Sequence, residues 1–239
     1  MVDIEHLQFG LETFGDIVAN EDGSLQTAAA SIRQILREGK LADDLGIDVF
    51  GVGEHHRPDY SVSSPETVLA AISAVTKQVK LATAVTVLSS DDSVRVYERF
   101  ATLDALSNGR AQVMLGRGSF TESFPLFGYD LTDYDDLFNE KLGLYDALRN
   151  EKAVTWSGKF RAALKNQEVY PKTENGKLET YIGIGGSPES VIRAVNFGYK
   201  VIIAIIGGQA SRFKPYIELY HAAAKELGKP EFPIAVHSH

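Results

Sequence analysis

No cysteine occurs among the 239 residues. That excludes disulfide frameworks, thiolate metal sites and cysteine nucleophiles, and it agrees with a reducing, cytoplasmic setting. Basic stripes are missing as well. Lys and Arg number 24 against 32 Asp and Glu, a formal net charge of -8, so nucleic acid is not an expected partner and the acidic surplus serves solubility. The N-terminus carries Asp3 and Glu5 where a signal peptide would show a basic and then an apolar stretch. The longest apolar run, 201–206, is far too short to span a bilayer, so no membrane association is expected. The sequence also lacks Gly-x-Gly-x-x-Gly, Gly-Lys-Ser/Thr and Gly-x-Ser-x-Gly, which removes the dinucleotide fingerprint, the P-loop and the serine-hydrolase elbow. What remains is 44% hydrophobic and 23% charged, ordinary for a globular chain and of a length that suits one domain.

Short apolar runs alternate with helical patterns, which predicts βα repeats and a parallel sheet. Strands are expected at 7–14, 48–52, 80–88, 110–115, 180–184, 200–205 and 234–238. Between the first two, Ala28, Ile32, Ile35, Leu36 and Leu45 mark one helix face, and Gly46 supplies a left-handed stop. Ser64 can cap the next helix, with Pro65 at its first position and Glu66 complementing its dipole. Residues 151–180 break the rhythm. They read as an excursion with a hairpin-like piece, Asn175-Gly176 being its turn signal. Seven strands are one short of a closed barrel, and the chain stops within or just after the seventh. The expectation is therefore a single-domain (β/α)8 TIM-type barrel over 1–239, truncated before its eighth strand, with the C-terminal βα unit missing.

Active sites of such folds collect at the C-terminal strand ends. Glu54-His55-His56 follows the second strand. Neighbouring side chains on extended backbone point opposite ways, so one histidine faces the mouth as an acid or base, or else the two simply tie down the loop. Gly116-Arg117-Gly118 follows the fourth strand. Its glycines allow close approach, and Arg117 can meet a phosphate or an electron-rich ring, or pair with Glu122. Gly185-Gly186-Ser187-Pro188-Glu189 opens a helix whose free N–H groups favour an anion. Gly207-Gly208 ends the neighbouring strand, and the two turns together make a phosphate cradle or two ordinary βα turns. His237 and His239 share a face and could join His55 around a metal. No carboxylate is placed to bridge, however, and Glu54 points away from His55, so no metal is expected.

Taken in order, Gly53-Glu54-His55-His56, Thr83-Ala84-Val85-Thr86-Val87-Leu88, Leu103-Asp104-Ala105-Leu106-Ser107-Asn108-Gly109-Arg110, Gly116-Arg117-Gly118 and Gly185-Gly186-Ser187-Pro188-Glu189-Ser190 resemble the bacterial-luciferase-like flavin-dependent monooxygenases over nearly the whole chain. The resemblance implies a barrel that binds reduced FMN, as a homodimer, with the flavin supplied by a separate reductase. It implies an enzyme that uses O2 to oxygenate a small organic substrate through a C4a-peroxyflavin. By position, His55 assists proton transfer. Ala84 and Val85 border the flavin ring, at a place where the family often has an irregular or cis peptide. Gly116 and Arg117 belong to the flavin site, and Gly185, Gly186, Ser187, Gly207 and Gly208 hold the phosphate. The aromatic loop 120–138 is a candidate lid. Two other readings share the fold: an F420-dependent oxidoreductase and a non-catalytic flavin-binding relative.

Overall fold

Aliphatic and β-branched runs too short to be helices form the strands, and the amphipathic stretches between them pack over the sheet. The computed structural model describes residues 7–174 and 176–238. In chain order the elements are β1 (Gly10–Thr13), α1 (Ala28–Asp44), β2 (Val49–Val52), α2 (Pro65–Ser73), β3 (Lys80–Thr83), β4 (Thr86–Val87), α3 (Ser93–Ser107), β5 (Ala111–Gly116), α4 (Ser123–Leu126), α5 (Tyr134–Asn150), β6 (Val154–Trp156), β7 (Leu164–Gln167), β8 (Glu179–Ile184), α6 (Pro188–Phe197), β9 (Lys200–Ile205), α7 (Lys214–Glu226) and β10 (Ala235–Ser238). The main sheet runs β1-β2-β3-β5-β8-β9-β10, with β4 pairing β5 beside that path. Its pairings are parallel. The edge strands curl toward each other until Glu12 on β1 touches His237 on β10. The result is an open α/β barrel of the TIM type. Among the described residues no helix is long and apolar enough to cross a membrane.

Alternation along the strands sorts the apolar side chains into two layers. Phe50, Leu81, Val113, Ile182 and Val201 face outward and are buried beneath helix residues such as Leu69, Phe100 and Val191. Ala82, Met114 and Ile202 face inward and form a second, smaller cluster. Each fully buried large side chain contributes roughly 1.5–3 kcal/mol, so the outer layer carries most of the stability.

Helix boundaries follow capping chemistry. Thr27 accepts from the Ala30 N–H at the start of α1, and Asp92 accepts from Val94 and Arg95 at the start of α3. Gly46 takes a positive φ just past α1, as its position in the sequence implies. Ser64 differs from expectation. It sits at the N-cap of α2, but its hydroxyl makes no capping bond. Glu66 does stand in the first turn of α2, as expected of a dipole partner, and it is buried beside Arg99.

Two expected elements also differ. The strand expected at 80–88 is broken into β3 and β4, with a cis peptide between Ala84 and Val85 in the break. Ala82 pairs with Gln112 and Thr86 with Leu115, so the break inserts one extra residue opposite β5, as a bulge does. The excursion does contain a hairpin, antiparallel β6–β7. Its turn lies between Trp156 and Leu164, because the two strands flank that stretch. Gly176 lies outside the hairpin, and Asn175 is outside the described residues.

Candidate functional site

The ends of β2, β4, β5, β8 and β9 surround one cavity of about 550 Å³, a size that takes a cofactor or a large metabolite. His55, Ala84, Val85, Gly116, Arg117, Gly185, Gly186 and Ser187 all line it. Residues far apart in the chain are therefore brought together as their strand-end positions imply. Gly207 and Gly208 follow Ile206, which lines the cavity, but are not themselves part of its wall.

After β2 the side chains alternate. Glu54 and His56 share one side, and His56 Nε2 lies 3.0 Å from Glu54 Oε1. The other carboxylate oxygen accepts from the Val87 N–H at 2.9 Å. Glu54 is thus a buckle between the end of β2 and β4, and it holds His56 as it does so. His55 projects the other way into an aromatic wall. Its ring stacks on Tyr60 with centroids 4.1 Å apart and meets Phe14 and Phe120 edge-on, each at 5.3 Å. Nε2 is buried and has no hydrogen-bond partner among the described residues. Burial in this wall lowers the affinity of the imidazole for a proton, overriding the nearby carboxylates Asp16, Asp59 and Glu122.

Gly116 serves its own neighbour. A Cβ placed there would come within 2.4 Å of Val85 Cγ2, so its bare Cα makes room for the side chain at the strand break. Arg117 pairs with Asp135, Nη1 donating to Oδ1 at 2.7 Å, and its guanidinium lies 5.3 Å from the Tyr134 ring centroid. Glu122, the partner weighed from sequence, is taken instead by Arg57. Tyr134 donates its hydroxyl proton to the Gly118 carbonyl at 2.7 Å, which fixes the turn that aims Arg117.

At α6, Gly186 has a φ of 120°, a conformation that excludes most side chains. The Ser187 hydroxyl accepts from the Ser190 N–H and donates to Glu189 Oε2 at 2.6 Å. Glu189 sits below the usual carboxylate range, chiefly through that Ser187 bond and further through the charges of Arg117 and Arg193. A helix N-terminus and Arg117 therefore stand at this end of the cavity, with Asp135 and Glu189 as the carboxylates beside them, while the His55 end is aromatic. Among the described residues no group of three or more His, Cys, Asp or Glu is arranged to hold a metal ion. His239 lies outside them.

Sequence reasoning did not single out Phe14, Tyr60, Phe120 or Tyr134, all of which line the cavity, although Phe120 and Tyr134 fall within the loop 120–138 read as a candidate lid. Phe14 offered a signal, since it is the last residue of the first expected strand, 7–14. Tyr60 and Phe120 stand in loops, where no periodicity marks a facing side, and Tyr134 opens α5 directly after such a loop.

The sequence model of luciferase-like monooxygenases matches residues 13–239. The N-acetyl-S-alkylcysteine monooxygenase of Bacillus subtilis (strain 168) is 28% identical over 218 residues, covering 89% of this chain and 63% of that protein. The chain thus spans less than two thirds of that relative's length. Among solved structures, a monooxygenase from Streptomyces bottropensis superposes with a TM-score of 0.86 at 24% identity, over 97% of this chain and 70% of that one. The oxygenating constituent of 3,6-diketocamphane monooxygenase from Pseudomonas putida, in complex with FMN, gives 0.81 at 20% identity, over 96% and 66%. An F420-dependent secondary alcohol dehydrogenase gives 0.77 at 21%, over 96% and 68%.

Proposed function

The chain belongs to the luciferase-like monooxygenase family, and from that premise we propose that its cavity binds reduced FMN and serves the oxygenation of a small organic substrate by O2. The observation that carries this reading is the polarity of the cavity. One end has Arg117 and the α6 N-terminus, the other has an imidazole walled by aromatic rings, and Ala84 and Val85 lie along the wall with both. A phosphate suits the first end and a flat ring system the second. The residues fit such a group. A Cβ at Gly185 would meet nothing within 4 Å, so the approach to the helix N-terminus is open.

When bound, reduced flavin supplies the electrons that activate O2. The chain's own residues do the rest. Arg117 and the backbone N–H groups of Gly186 and Ser187 would hold the phosphate. Val85, seated over Gly116, borders the ring. Phe14, Tyr60 and Phe120 keep water from the reacting end, and His55 accepts or returns a proton at Nε2. A separate reductase supplies the reduced flavin.

Titration of the purified chain with FMN and with F420, followed by flavin and deazaflavin fluorescence, tests this. FMN is expected to saturate at micromolar concentration, and Arg117→Ala to weaken it about 10- to 100-fold. Tighter binding of F420 would move the reading to an F420-dependent oxidoreductase. Binding of neither up to millimolar concentration would overturn it.

A further inference from the structure

The loops after β2 and β5 meet at one side chain. Arg57 forks onto Asp59 in its own loop, Nε donating to Oδ1 at 2.9 Å and Nη2 to Oδ2 at 3.1 Å. Its remaining arm reaches the other loop, Nη1 donating to Glu122 Oε1 at 3.0 Å. The guanidinium lies 4.4 Å from the centroid of Phe120. Phe120 in turn meets His55 and Tyr60. One cation thus joins a carboxylate and a ring of the β5 loop to the loop that carries His55, across 65 residues of sequence.

We propose that Arg57 is a positioning residue: by holding Glu122 and Phe120 against the β2 loop, it closes the aromatic wall around His55 and keeps water from the imidazole. Asp59 preorganises the guanidinium on its own loop, and the Glu122–Phe120 side is the part that can lift away. The side chains of Arg57, Asp59 and Glu122 remain 34%, 52% and 37% exposed. Ion pairs so placed are screened by salt and contribute little to global stability. That suits a fastening that releases so a ligand can pass, not a strut of the fold. The inference rests on the geometry of the two loops, and it holds whether the cavity takes FMN, F420 or neither.

The test uses the ligand-free protein and reads the titration midpoint of His55 by NMR, assigned by its disappearance in His55→Gln. The groups facing this imidazole are Asp16, His56, Asp59 and Glu122, with the rings of Phe14, Tyr60 and Phe120. Glu122→Gln separates the two effects by sign. Removing a negative charge alone lowers the midpoint, whereas letting water reach the ring raises it. The expected result is a rise of roughly half a pH unit toward the ordinary histidine value. Arg57→Lys keeps the charge but loses the fork, and should move the midpoint the same way by less.

Salt provides a second reading that needs no variant. In about 1 M salt the Debye length falls to about 3 Å. The wild-type midpoint should then rise, although screening of the surrounding carboxylates acts in the opposite direction. A midpoint that falls or stays still in Glu122→Gln overturns the role assigned to Arg57, whatever salt does to the wild type.

Discussion

A histidine packed against three aromatic rings is a different base from one in water. Burial pushes the His55 imidazole below its ordinary range, so near neutral pH it is uncharged and ready to accept a proton. If it does so during turnover, kcat/KM should rise with pH through a value below 6.5 and stay flat above it. His55→Ala is expected to remove that limb and lower turnover about 100-fold, while FMN affinity changes only a few-fold. Stopped-flow turnover across pH, beside a fluorescence titration, checks both. Lost affinity with the pH limb intact would make His55 a structural residue. The histidine itself was legible, because Glu54-His55-His56 follows a predicted strand. Its surroundings were not. Tyr60 and Phe120 reach it from two loops, and nothing in their spacing shows that the loops close on each other.

At the scale of elements, glycine at strand ends was visible from sequence, but the purpose of one of them was not. Gly116 reads as a residue that admits a ligand, yet it is the Val85 side chain that fills the space. Gly116→Ala should therefore cost about 1–3 kcal/mol by overpacking, measured by urea unfolding. Adding Val85→Ala should recover much of that loss, because the two sites share one contact. If the double variant is simply the sum of the singles, the clash lies elsewhere. The break that creates this packing was implied by the family resemblance at Ala84 and Val85, but not by the local pattern. Thr86, Val87 and Leu88 continue the β-branched and aliphatic composition of β3, so periodicity runs straight through Ala84 and Val85. Only pairing with β5 reveals the extra residue. The strands and helices with strong periodicity, by contrast, fall close to where the apolar pattern places them, since one buried face per element dictates that pattern.

The whole barrel has a polar floor that no single segment announces. Lys80, Gln112, Glu179 and Lys200 stand near the starts of their strands and read as ordinary polar edges. Each lies two residues before an inward-facing side chain, Ala82, Met114, Tyr181 and Ile202 in turn, so all four point into the barrel. There Glu179 accepts from Gln112 at 2.7 Å, from Lys80 at 3.2 Å, from the Tyr181 hydroxyl at 3.1 Å, and from Lys200. Burial alone would raise its pKa. The bonds from Lys200 and Gln112, with the charges of both lysines, outweigh that and hold it at about 2. A carboxyl with a depressed folded pKa stabilises the fold above its unfolded value of 4.5, and that contribution is lost as pH falls toward 2. Its side chain is 26% exposed, so solvent screens part of the effect. Glu179→Gln is therefore expected to cost on the order of 2 kcal/mol at pH 7. Urea unfolding of the two proteins at a series of pH values should show that gap shrinking between about pH 4.5 and 2.5. A gap independent of pH would mean that Glu179 supports the barrel through shape and not charge. The floor would then be a plug whose ionisation is incidental to the stability of the cavity above it.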